Sequence, residues 1–138
     1  MPNGARSSKV RYAVLAFVLF ATEYLIATRW RHLPFVRGEL GDYLVVILLF
    51  AMIRAVWNVA SRPLAVGIFV FACLVECAQG FALADRLGFA RGSWPSIIIG
   101  TTFQWSDIAM YAAGCVTVWL LAPWLDQSPR NATGEPVT

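Results

Sequence analysis

Charge is what this chain has least of: 14% of its residues are Asp, Glu, Lys or Arg, against roughly 25% in soluble domains. With 59% hydrophobic residues and a mean hydropathy of +0.63, a soluble fold has too little polar surface to cover its apolar side chains. Histidine occurs once, as His32, and cysteine three times, so a His/Cys metal site is poorly supplied. Cys73, Cys77 and Cys115 all fall in apolar runs, where a thiol packs as a small apolar group. No nucleophile–base arrangement, cofactor motif or internal repeat is visible, so no catalytic residue, metal or cofactor is expected. The net charge of +3 lacks the basic stripe interleaved with aromatics that nucleic-acid binding needs. Its arginines stand mostly at the ends of apolar runs, where they reach for lipid headgroups.

What is present is four apolar runs, residues 10–27, 43–60, 64–84 and 107–125. Each approaches the ~20 residues with which an α-helix crosses a ~30 Å hydrocarbon core. The fold class predicted is an all-α membrane protein: four transmembrane helices in an antiparallel bundle over residues 10–125. A disordered basic tail, 1–9, precedes it and a disordered polar tail, 126–138, follows. A basic start before an apolar run also describes a signal peptide, but Glu23 interrupts the run and no small-x-small cleavage site follows. The connection 28–41 carries Arg29, Arg31, His32, Arg37 and Glu39, with Trp30 and Phe35 as interfacial anchors. Between the third and fourth helices, residues 87–106 are too many for a turn. Gly88, Gly92 and Pro95 break the chain there and 96–100 is apolar but short, so this segment is expected to be interfacial or re-entrant.

Polar residues inside the runs are the informative ones, because a carboxyl within the membrane is a functional hypothesis by default. Glu23 lies inside the first run. Asp42 precedes the second as a candidate N-cap. Arg54 stands about 9 Å from the end of that helix at 1.5 Å per residue, close enough to snorkel to the near surface. Glu76 and Gln79, at i and i+3, share a face of the third helix. An ionised Glu76 alone at a helix centre would cost roughly 2.5–3.5 kcal/mol, so it should be neutral, paired or facing water. Thr101 and Thr102 lead into the fourth helix, where Asp107, Tyr111 and Gly114 follow at helical spacing. Four alternating spans gather Glu23, Arg29, Arg37, Asp42, Glu76, Gln79, Thr101, Thr102, Asp107 and Tyr111 at one side of the bilayer. The other half retains Arg54 and the Ser61-Arg62-Pro63 turn. The basic N-terminus favours an inside start, which puts both termini in the cytoplasm and the polar cluster at the outer face.

The combination of Gly41-Asp42-Tyr43 with Arg54, Glu76-x-x-Gln79, and Gly100-Thr-Thr-Phe-x-Trp-x-Asp107 with Tyr111 and Gly114 resembles a family of small bacterial membrane proteins of unknown function. More distantly it is similar to the VanZ-like proteins. The resemblance covers about residues 11–121. It implies a multi-pass protein of the inner (cytoplasmic) membrane; VanZ-like proteins are associated with glycopeptide resistance, and no established reaction comes with the likeness. Tyr111 stands where VanZ-like chains usually carry Asn.

Three functions are open at this point. The residues can bind a polar lipid or lipid-linked envelope-precursor headgroup, with Arg29, Arg31 and Arg37 on phosphate and Glu76, Gln79 and Asp107 on the remainder. They can instead fix helix pairing in a structural module that meets a membrane protein partner or a second copy of itself. Or Glu76 and Asp107 can serve as the acid/base pair of an enzyme or proton-coupled carrier.

Overall fold

A computed structural model describes residues 2–30, 32–81, 83–94 and 103–127. Arg31, Thr101, Thr102, the apolar stretch 96–100 and the tail beyond 127 lie outside the described residues. Those described form helices α1 (Pro2–Thr28), α2 (Gly41–Val56), α3 (Ser61–Gly80), the single turn α4 (Leu83–Arg86) and α5 (Trp105–Leu125), with a π-helical turn at Val36–Leu40. Three of them, Arg6–Thr28 within α1, α3 and α5, are long and apolar enough to cross a membrane. At 16 residues, α2 rises about 24 Å and falls short of that length.

The boundary differences have local causes. α1 runs through residues 2–9, which the sequence reading assigns to a tail. Pro2 suits a helix start, since its fixed φ is already helical and its missing N–H would have no partner there. Lys9 is tied down as well, its Nζ donating 2.8 Å to the carbonyl of Val56. The end of α2 lies at Val56 instead of Ala60, and Trp57 turns out to φ −111°, ψ 141°. Arg54 holds that exit, donating to Asn58 Oδ1 and the Val59 carbonyl. Pro63 falls in the first turn of α3, where it removes no helical bond. Asp42 is not an N-cap: the π-turn feeds straight into α2 through a helical Gly41 at φ −59°, ψ −48°, so no free backbone donor awaits a cap at Asp42.

α2 lies in the middle, packed against α1, α3 and α5. Its Val46, Ile47, Leu48, Phe50 and Ala51 form the core with Tyr12, Ala65, Ile68, Tyr111, Cys115 and Val118. The molecule is inverted relative to a soluble protein. Phe17 is 74% exposed and Leu120 66%, while Glu76 is 0% and Arg54 6% exposed. Water cannot solvate such an apolar exterior without cost, whereas acyl chains can. Exposed tryptophans cluster near helix ends, Trp30 beyond α1, Trp57 beyond α2, Trp105 at the start of α5 and Trp124 at its close. That is where amphipathic rings meet headgroups.

Arg54 does not snorkel. It pairs with Asp126, lies 5.0 Å from the centroid of the Tyr12 ring, and shares Asp126 with the Tyr12 hydroxyl at 3.0 Å and Ser61 Oγ at 3.0 Å. Pairing wins because a charged partner within reach repays the desolvation that an unpaired guanidinium would suffer. Tyr12→Phe removes one neutral donor from this network at constant shape. A loss of about 1 kcal/mol is expected in a detergent-unfolding titration of the variant beside wild type.

Candidate functional site

The other end of the molecule gathers the carboxyls. α5 starts with Gln104 as its N-cap, extended at φ −135°, ψ 128°, and the backbone N–H of Gln104 donates 2.5 Å to Glu76 Oε1. The approach is close because α3 ends in Gly80: a Cβ there would sit 3.0 Å from Cβ of Phe103. Phe103 in turn meets Trp105 edge to face at 5.0 Å. The glycine therefore lets the residues entering α5 lie against the last turn of α3 and bring a backbone donor to a buried carboxylate. Glu76 Oε2 is also buried and has no partner among the described residues.

Asp107 stands in the first turn of α5, where the unpaired N–H groups favour an acidic group. Ser106 Oγ donates to it at 3.1 Å. Asp42 faces Asp107 closely enough for a side-chain hydrogen bond, and Glu76 lies within electrostatic reach of both. The Tyr111 hydroxyl reaches Asp42 Oδ1 at 3.4 Å. Gly114, one turn further on, sets this spacing. A Cβ on it would collide with Val46 Cγ2 and come 2.7 Å from the Tyr43 carbonyl, so α5 closes on α2 backbone to side chain. Tyr43 is then within 2.9 Å of Thr117 Oγ1.

Asp42, Glu76, Asp107 and Tyr111 are thus brought together. Glu23 and Arg37 form a neighbouring pair of a different kind. Both line a cavity of about 430 Å³ with Ile26 and Ala27, and Glu23 Oε1 is buried without a partner among the described residues. Gly41 lies beside that carboxyl, a Cβ there falling 3.8 Å from Glu23 Oε2. Arg29 is exposed just beyond α1 and is not drawn in, and Gln79 is half-buried. Thr101 and Thr102 lie outside the described residues. No group of three metal-ligating side chains occurs among the described residues.

Two participants escape the sequence. Gln104 contributes its backbone, which no side-chain pattern reveals. Asp126, read as the first residue of a tail, is the counter-ion of Arg54; its one signal is that a lone arginine deep in an apolar run needs a carboxylate.

A carboxyl cluster at one end, an ion pair at the other and an apolar belt between them mark a helical protein of the membrane-spanning class. Residues 31–115 match the family described as protein of unknown function DUF2809, and the chain belongs to that family. No curated protein matches the chain. No solved structure matches it either.

Proposed function

We propose that this protein binds the headgroup of a polar lipid or lipid-linked envelope precursor where Asp42, Glu76, Asp107 and Tyr111 converge. The observation that supports it is Glu76: a carboxyl at 0% exposure, held at one oxygen by Gln104 and carrying a second buried oxygen with no partner among the described residues. Leaving an acceptor buried and unmet costs roughly 1–3 kcal/mol, and a donor brought by a ligand recovers it. Asp42 and Asp107 facing each other, with Glu76 within electrostatic reach, favour a group rich in donors, hydroxyls or an ammonium. Arg37, in the adjoining cavity with Glu23, offers phosphate the cation that the carboxyls cannot.

In this reading α2, lengthened by the π-turn before it, is the fourth crossing of an alternating antiparallel bundle. The basic start of α1 stays in the cytoplasm with the other terminus, and the carboxyl cluster opens at the outer face of the cytoplasmic membrane. The likeness to VanZ-like proteins agrees with an envelope ligand. No catalytic role is assigned.

Native mass spectrometry of protein released from its own membrane in mild detergent tests the proposal. Wild type should retain a defined lipid or headgroup-bearing mass. Glu76→Gln combined with Asp107→Asn should lose it at least tenfold while keeping its helical signal and melting temperature. A wild type carrying no specific lipid, or a double variant that loses only its fold or a protein partner, would mean that the cluster merely fixes helix pairing.

A further inference from the structure

Away from the carboxyl cluster, three cavities lie in succession along α3 and α5, each sharing lining residues with the next, and pass from polar to apolar. The first, about 460 Å³, is lined by Ser8, Arg54, Asn58, Ser61 and Asp126 among others. The second, about 290 Å³, shares Ala60, Ser61 and Asp126 with the first and adds Arg62 and Trp119. The third, about 190 Å³, shares Trp119 with the second and is otherwise apolar, walled by Ala65, Phe69, Ala112, Cys115 and Val116. From Ser61 to Phe69 the track follows α3 for about 12 Å.

Its polar end holds donors left over from the fold. Arg54, 6% exposed, gives its terminal nitrogens to Asn58, the Val59 carbonyl and Asp126. Its Nε is buried without a partner among the described residues. Asp126 is already engaged, Oδ1 by Arg54 and Tyr12 and Oδ2 by Ser61. It therefore offsets the charge of Arg54 and leaves that of Arg62 in excess. The Arg62 guanidinium, on an exposed side chain, lies 5.9 Å from the Trp119 ring centroid, at the junction of the polar and apolar parts. An uncompensated cation at the head of an apolar groove on the bilayer-facing surface matches a ligand that is anionic at one end and a hydrocarbon chain along the rest.

We propose that this track binds an anionic phospholipid, its phosphate at the exposed Arg62 guanidinium where the polar and apolar parts meet, and an acyl chain in the groove below Trp119. The site uses no residue of the carboxyl cluster and does not rest on the headgroup reading given to that cluster.

The test is native mass spectrometry of delipidated protein titrated with phosphatidylglycerol, with phosphatidylcholine of the same chains, and with glycerol phosphate, which has the anion and no chain. Two variants act on exposed positions, so that the core is spared: Arg62→Gln removes the cation, and Val116→Trp fills the groove from its rim. Phosphatidylglycerol should bind as one equivalent, at least tenfold tighter than phosphatidylcholine. Each variant should weaken it at least tenfold at unchanged melting temperature, and glycerol phosphate should not displace it. Equal binding of the two lipids would reduce the track to ordinary annular contact and overturn the proposal. Binding that survives both variants, or phosphatidylglycerol displaced by glycerol phosphate in wild type and Val116→Trp alike, would overturn it too, the latter leaving a simple phosphate site.

Discussion

Asp126→Ala is expected to lower the free energy of unfolding by about 3 kcal/mol, the lower end of what breaking a buried ion pair costs. Arg54 is the reason. Its guanidinium is 6% exposed and meets one carboxylate among the described residues, that of Asp126, whose own side chain is 34% exposed. Partial exposure of Asp126 lets water screen the pair and keeps the loss from the top of the range. Removing the carboxylate leaves the buried cation uncompensated, and it also strips the acceptor from Tyr12 and Ser61. Replacing both charges together, Arg54→Met with Asp126→Leu, should restore most of the stability, because no unpaired charge then remains. Unfolding titrations of Arg54→Met, Asp126→Leu and the two combined, beside wild type, close a double-mutant cycle and give the coupling directly. A double variant no more stable than Asp126→Ala would mean that the network matters through its hydrogen bonds and not through the charge.

Gly114→Ala should cost about 1–3 kcal/mol, the usual penalty for one methyl too many in a packed interior. It should also loosen the carboxyl cluster. The added Cβ would stand 2.7 Å from the Tyr43 carbonyl and overlap Val46 Cγ2; the backbone oxygen cannot swing away as a side chain could. α2 and α5 must therefore separate, and the 3.4 Å contact between Tyr111 and Asp42 opens with them. The measurements are the melting temperature and the retention of the native lipid mass. Gly67→Ala serves as the comparison, since a Cβ there meets nothing within 4 Å; it should keep the lipid mass and leave the melting temperature equal or slightly higher, alanine being the better helix former. Equal behaviour of the two alanine variants would show that α5 does not close on α2 at Gly114.

Much of the architecture follows from composition and run length. Apolar runs of membrane-spanning length with few charges can be satisfied in lipid only as helices, where every backbone group is paired within its own segment. On those grounds α1, α3 and α5 are legible in the chain. The same grounds overextend α2, because Trp57, Asn58 and Val59 are compatible with a helix on composition. The chain leaves the helix there through contacts of Arg54 with Asn58 and the Val59 carbonyl, and the Arg54 side chain is itself held by Asp126, 72 residues away. The same limit applies to Asp42. As a short acidic residue ahead of an apolar run it has every local mark of an N-cap, yet the helix has already begun in the π-turn before it.

The sequence by itself determined that the chain is helical and that its exterior is apolar, because hydropathy and helical period are properties of the chain alone. Only the tertiary structure decided which polar groups meet. It joined Glu76 to a backbone N–H at Gln104, turned Asp42 onto Tyr111, and gave Arg54 to Asp126 instead of to the membrane surface. The physical reason is that a buried polar group is stabilised by whichever partner packing brings within about 3 Å. Packing here is set by the close contacts at Gly80 and Gly114, which depend on residues far apart in the chain.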